Sequence, residues 1–364
     1  MKPLFSLIFL FAFGLLTFAQ DADQLRFAKI ISNNMVLQQQ KPISLWGWAK
    51  PKTEVSVILT QDAKVGEAAW ASINDSTDNK QDNGTYSVTM RYVEKNPPKL
   101  ATQRLKTKAD NDGRWSVQFP AAKASFQPTW IIAQAAQELA VVQNVLIGEI
   151  WVCAGQSNMG WGNFNRKGRE AASADFPGLR YIAWEDSWYK PLADVRKTIR
   201  WQECSPETAQ RFSAVPYLYG AFLHRYLKVP VGIINVARGG TLGQTWCMRD
   251  ELDSVDNKLM KTVLAEHDTQ TAVWDDPKQV AALMAKWEQA CEVTRKEHAV
   301  KIAKAKEEGN KEPRLRLPKK PSDARAGWSP PAGLFNATVM PIRHLGLRGV
   351  LYYQGENNNF MRWT

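Results

Sequence analysis

The chain has 364 residues, a formal charge of +11 and only four cysteines. Its length exceeds what one small core needs and suggests two units of roughly 100–200 residues each. The cysteine count is too low for a disulfide-stapled scaffold, and no cysteine or histidine pair has zinc-site spacing. The charge does not argue for nucleic acid, because much of the Lys/Arg excess falls in residues 292–320, where both signs mix, at first with helical spacing, as on a solvated helix face.

Residues 1–19 open with Lys2, continue with an apolar run from Leu4 to Phe18 and end with the small residues Thr17 and Ala19 at the −3 and −1 positions of a cleavage site. This is the layout of a secretory signal peptide, and the run is shorter than the roughly 20 residues that span a bilayer. No later segment is apolar enough to cross a membrane. The sequence therefore predicts an exported chain cleaved near Ala19, in which one or two disulfides would be chemically permitted. Cys153 lies inside an apolar strand, where a small core side chain is the simpler role.

Residues 20–144 read as a small antiparallel β-sandwich. ISLWGWA from Ile43 and TEVSVILT from Thr53 contain period-2 alternation, and NDGRWSVQF from Asn111 is a turn followed by a strand. The polar stretch 74–84 reads as an exposed loop. From residue 145 the pattern changes. Strand-like 146–154 leads into a serine turn, AVPYLYGAFLHRYL from Ala214 has helical spacing, and PVGIINV and LRGVLYY read as buried strands. Strands alternating with helices predict a parallel α/β sheet, whose ligands gather at the strands' carboxyl ends. Residues 250–330 interrupt this alternation with a long helical excursion over 278–305 and a proline-rich return, either a structural hairpin or a lid-like arm.

The serine turn, IWVCAGQSNMGWG over 150–162, poses the chemical question. Ser157 is either a helix N-cap or a nucleophile. A strand-to-helix turn would lift its Oγ out of the sheet beside free helix-start amides, with Gly155 permitting close backbone approach and Asn158 bonding locally. Two further strands end comparably. VARGGT from Val236 stops in Gly239-Gly240, and YYQGENN from Tyr352 stops in Gln354, a neutral amide donor. A hydroxyl, a backbone N–H and an amide donor meeting in one crevice form the set that ester hydrolysis through a tetrahedral intermediate requires.

These segments carry a resemblance. NNMVLQQ from Asn33, GEIWVCAGQSNM from Gly148, VPVGIIN from Val229 with Gly239-Gly-Thr, and Tyr353-Gln-Gly-Glu are similar to the sialate O-acetylesterase family of carbohydrate esterases, within the SGNH hydrolases. The likeness runs from about Asn33 to the end of the chain, and the GQSNM and QGE segments are its specific parts. It implies a flavodoxin-like SGNH sheet, no metal or organic cofactor, and removal of O-acetyl groups from sialic acid or a related sugar. It further implies Ser157 as nucleophile, Gly240 (or its neighbour Gly239) as a backbone oxyanion donor and Gln354 as a side-chain donor. Glu356 would either orient the site or act as a structural hydrogen-bond partner.

One element of the family pattern is missing. Its general base is a histidine in a late Asp-x-x-His segment, and none of His224, His267, His298 and His344 has an aspartate three residues before it. The simplest expectation is a truncated chain that lacks the base and hydrolyses esters poorly. A rival reading is a sugar-binding protein without catalysis, its 15 tryptophans (Trp161, Trp184 and Trp188 among them) offering stacking faces as well as core volume. A third keeps the chemistry and changes the substrate, to acetylated xylan or another glycan.

Overall fold

The computed structural model describes residues 24–74, 100–162 and 174–359. The leader expected at 1–19 and nearly all of the polar loop expected at 74–84 lie outside them. The first strands are β1 (Arg26–Phe27), β2 (Val36–Gln38), β3 (Ile43–Trp48) and β4 (Glu54–Thr60), followed by helix α1 (Ala63–Asn74). Then come β5 (Gln103–Lys108), β6 (Arg114–Phe119), β7 (Ser125–Ala135) and the 18-residue β8 (Glu138–Gly155). Helix α1 is a departure from the all-strand expectation. Its sequence AKVGEAAWASIN is rich in alanine and other good helix formers, a propensity signal that the strand patterns around it obscured.

Strands β1, β3 and β6 form a three-stranded antiparallel sheet. The larger sheet is mixed, and β8 is its spine. The first half of β8 pairs antiparallel with β7, which continues through β4 to β5, and parallel with β2 on its other side. The second half pairs parallel with two later strands, β11 (Val231–Asn235) and β12 (Gly349–Tyr353). Strand β9 (Phe176–Ala183) runs parallel to β11 on its far side, and β10 (Gln202–Cys204) closes that edge antiparallel. The boundary expected at 144/145 thus falls within one continuous strand.

Alternation along the parallel strands distributes their side chains to two faces. Cys153, Leu179, Tyr181 and Ile233 face α2 (Ser157–Gly160) and α3 (Ala214–Leu227), the helix foreseen from its spacing. Val152, Ala154, Ile182 and Ile234 face the opposite way, into a core shared with Leu45 and Trp46 of β3 and with Leu334 and Ile342. Each fully buried Val or Ile contributes about 1.5–3 kcal/mol of apolar transfer. Burial also pushes the Cys153 thiol up to about 12, as expected for a core residue, and none of the four cysteines is in a disulfide.

The excursion consists of α4 (Arg249–Ser254), α5 (Lys258–Asp275) and α6 (Pro277–Glu307). Helices α5 and α6 are joined through Asp276, which caps α6 by accepting from the Lys278 N–H. The proline-rich return runs back along α6, where Trp287 donates to the Pro318 carbonyl at 3.0 Å and His298 Nε2 lies 2.8 Å from the Pro313 carbonyl. At the base of the hairpin, Asp275 accepts from Tyr189 and Arg325. Among the described residues, no helix is long and apolar enough to cross a membrane.

Candidate functional site

Strands β8, β11 and β12 lie side by side in parallel, so their carboxyl ends open onto the same crevice. The order β11-β8-β12 also means that the chain leaves β8 on one side for β9 and β11 and reaches β12 on the other. That is the switch point at which open α/β sheets place their ligands.

Strand β8 ends at Gly155, where glycine is required on two counts. Its φ is +132°, a region strained for L side chains, and an added Cβ would lie 2.0 Å from the Tyr353 carbonyl of β12. Gln156 follows in extended conformation as the N-cap of α2, with no side-chain cap bond. Ser157 is therefore the first helical residue and not the cap, and it is exposed. Among the described residues, nothing accepts from or donates to its hydroxyl, so the N-cap alternative does not describe it.

The first glycine of the pair lies beside Ser157. Arg238 N–H donates to the Gly155 carbonyl at 2.9 Å, which holds the β11 loop against the serine turn. A side chain at Gly239 would begin 3.7 Å from Ser157 Cβ, an ordinary contact distance. Gly240 sits at φ +66°, in the left-handed region. Among the described residues, neither glycine N–H has a partner, whereas both carbonyls do. Gly239 accepts from Trp328 Nε1 at 3.0 Å and Gly240 from Asn357 Nδ2 at 2.9 Å.

The loop after β12 is bound to both others. Gln156 N–H donates to the Tyr353 carbonyl at 3.0 Å, and Gln156 Oε1 accepts from the Asn357 N–H at 3.2 Å. Asn158 Nδ2 donates to Glu356 Oε1. Gln354 departs from the expectation of a free donor. Its Nε2 donates to the Thr241 carbonyl at 2.9 Å and to Asn358 Oδ1 at 3.0 Å, so both amide hydrogens are engaged in bracing the loops. Asn358 Oδ1 accepts in turn from the Gly243 N–H.

No protein-family model matches the chain. It is 24% identical over 356 residues to a sialate O-acetylesterase of Rattus norvegicus, covering 92% of this chain and 52% of that protein. The Homo sapiens protein of the same name is 24% identical over 346 residues, covering 92% and 49%. In sequence the chain is thus similar to the sialate O-acetylesterases. It spans about half the length of these relatives. Its fold is also that of a carbohydrate acetylesterase from Xanthomonas citri, with a TM-score of 0.57 at 20% identity, over 92% of this chain and 52% of that one.

Among the described residues, no hydrogen bond joins any of the four histidines to Ser157. His224 is buried in α3 between Phe126 and Phe176, with Nδ1 2.7 Å from the Val229 carbonyl. His267 is on α5, His298 is on α6, and His344 packs edge-on against Trp46 of β3, toward the amino end of β12. Among the described residues, no group of three or more His, Cys, Asp or Glu side chains could hold a metal.

Gln156, Asn357, Asn358 and Trp328 also stand at this site, and the sequence reading gave none of them a role. The first three lie within or directly after the GQSN and QGE motifs, where the pattern marks the segment and not the role of each side chain. Trp328 follows only from the path of the return segment. Trp184 is buried, and Trp188 is half-buried with both the Arg196 and the Arg325 guanidinium groups against its ring.

Proposed function

We propose that the chain carries the nucleophile-bearing part of a carbohydrate O-acetylesterase, which transfers the acetyl group of an acetylated sugar to Ser157 and then to water. One observation carries this reading. An exposed serine stands at the carboxyl end of the central strand beside Gly239, the first of a glycine pair whose N–H groups have no acceptor among the described residues. The fold shared with a carbohydrate acetylesterase and the homology to sialate O-acetylesterases support the substrate class.

In this reading Ser157 Oγ attacks the acetyl carbonyl, and the developing oxyanion is held by the N–H of Gly240 or Gly239. Removing one such donor typically costs about 10²–10³ in turnover. Gln354 acts through position, keeping Thr241 and Asn358 in place behind the glycines. Asn158 and Glu356 tie the serine turn to the β12 loop. A base must still take the serine proton, a contribution of about 10²–10⁴. The names of the homologues favour sialic acid as the sugar, and the pattern of residues 1–19 favours export.

Incubation with an acetyl ester and with a serine-directed phosphonate tests the assignment. The phosphonate is expected on Ser157, and Ser157→Ala is expected to lose both labelling and hydrolysis. Labelling of another serine, or hydrolysis retained in Ser157→Ala, overturns it.

A further inference from the structure

The return segment of the excursion brings Trp328 to the glycine pair. Its indole N–H donates to the Gly239 carbonyl at 3.0 Å, and the Arg238 guanidinium lies 3.9 Å from the ring centroid. The neighbouring Ser329 Oγ accepts from the Leu242 N–H at 2.8 Å, which fixes the backbone beside it. The ring is therefore held at one edge and over one face, yet 56% of the residue stays exposed. A large apolar side chain ordinarily gains by burial, and an indole whose N–H is already satisfied has no polar reason to remain in water.

We infer that Trp328 is a sugar-stacking platform at the mouth of the site, binding the C–H face of a pyranose ring so that its acetyl ester reaches Ser157. The inference rests on the carbohydrate esterase reading for its ligand class. A pyranose offers one face of ring C–H groups with hydroxyl or acetoxy groups around its rim. A flat indole buries that face while the rim stays hydrated. Because the Gly239 bond and the Arg238 contact fix the ring before ligand arrives, little side-chain entropy remains to be lost on binding. A side chain at Gly239 would begin 3.7 Å from Ser157 Cβ, so the residue that Trp328 holds is the one beside the proposed nucleophile. The excursion then has a part in recognition, because its return segment carries the residue that selects a ring-shaped substrate.

The rival explanation is that Trp328 only pegs the Gly239 carbonyl through its N–H. Phenylalanine separates the two, since it keeps a flat apolar ring and has no N–H. The test titrates a per-O-acetylated methyl glycoside into the full chain carrying Ser157→Ala, which prevents turnover, and follows binding by calorimetry. Trp328→Ala is expected to weaken binding about tenfold or more, and Trp328→Phe to stay within about threefold of the parent. Equal binding by Trp328→Ala and the parent overturns the platform. So does Trp328→Phe binding as weakly as Trp328→Ala, or a parent chain that does not bind the glycoside at all. The esterase reading is judged separately, by Ser157-dependent hydrolysis in the otherwise unsubstituted chain. Binding that depends on Trp328 without such hydrolysis leaves the platform standing and removes the esterase, and hydrolysis with Trp328-independent binding does the reverse.

Discussion

Gly239 and Gly240 are adjacent and differ in what they need. Gly240 adopts φ +66°, so Gly240→Ala forces a left-handed alanine, at about 1–2 kcal/mol. We expect a thermal midpoint lowered to match, together with slower acetyl ester hydrolysis. Gly239 has no such φ, and its added methyl would meet Ser157 at contact distance. Gly239→Ala should therefore leave the unfolding midpoint nearly in place while hindering attack at the serine, a split that parallel melting and turnover measurements would show. Among the described residues no hydrogen bond joins Ser157 to a histidine, which gives a second expectation. The chain should hydrolyse a chromogenic acetate slowly, added imidazole should accelerate it, and Ser157→Ala should not respond. At this scale much of the site was legible. Ser157, Gly239, Gly240 and Glu356 stand in or beside the crevice because each occupies a strand end, and strand ends are visible as apolar runs that stop in glycine. Gln354 also lies in the crevice, where its amide hydrogens go to Thr241 and Asn358 and not to a free position as expected. Whether an amide donor is free depends on carbonyls more than a hundred residues away, and local pattern carries no trace of those.

The excursion shows what element-scale reading can and cannot supply. Lysine, glutamate and alanine at helical spacing announced α6 correctly, because a solvated helix is governed by local propensity and charge pairs. The same pattern was silent on where the hairpin leads, since Asp275, Arg325 and Tyr189 come together only through tertiary contact. Helix α5 begins at Asn257, whose Oδ1 accepts from the Leu259 and Met260 N–H groups. Those are donors that a helix start otherwise leaves unpaired. Asn257→Ala should destabilise the chain by about 1 kcal/mol, readable as a shift in the denaturant midpoint. Asn257, Leu259 and Met260 also line a cavity of about 410 Å³ together with Asn358 of the β12 loop. Loss of the cap is therefore expected to loosen the rim of the crevice as well as the helix.

Across the whole molecule, ionisable groups are buried where the sheet's parts join. Arg180 of β9 is 1% exposed, and burial lowers its pKa to about 10 even though Glu203 of β10, 2.8 Å away, favours the charged form. Asn144 of β8 donates to the same carboxylate. Arg180→Met leaves Glu203 without its cation and should cost about 3 kcal/mol or more in urea unfolding. Burial also holds His224, His267 and His344 below the ordinary 6.5. Their unfolded forms take up protons that the folded forms resist, so stability is fully present above about pH 6.5 and is lost as pH falls toward the depressed folded values. Thermal midpoints should drop between pH 7 and pH 5, and His224→Gln should flatten that slope. Strand β8 bears on every such measurement, because eighteen consecutive residues supply both the antiparallel wing and the centre of the parallel sheet. A chain nicked between Asn144 and Val145 would leave each piece with half a ribbon, so the two pieces should regain their shape only as a reconstituted pair.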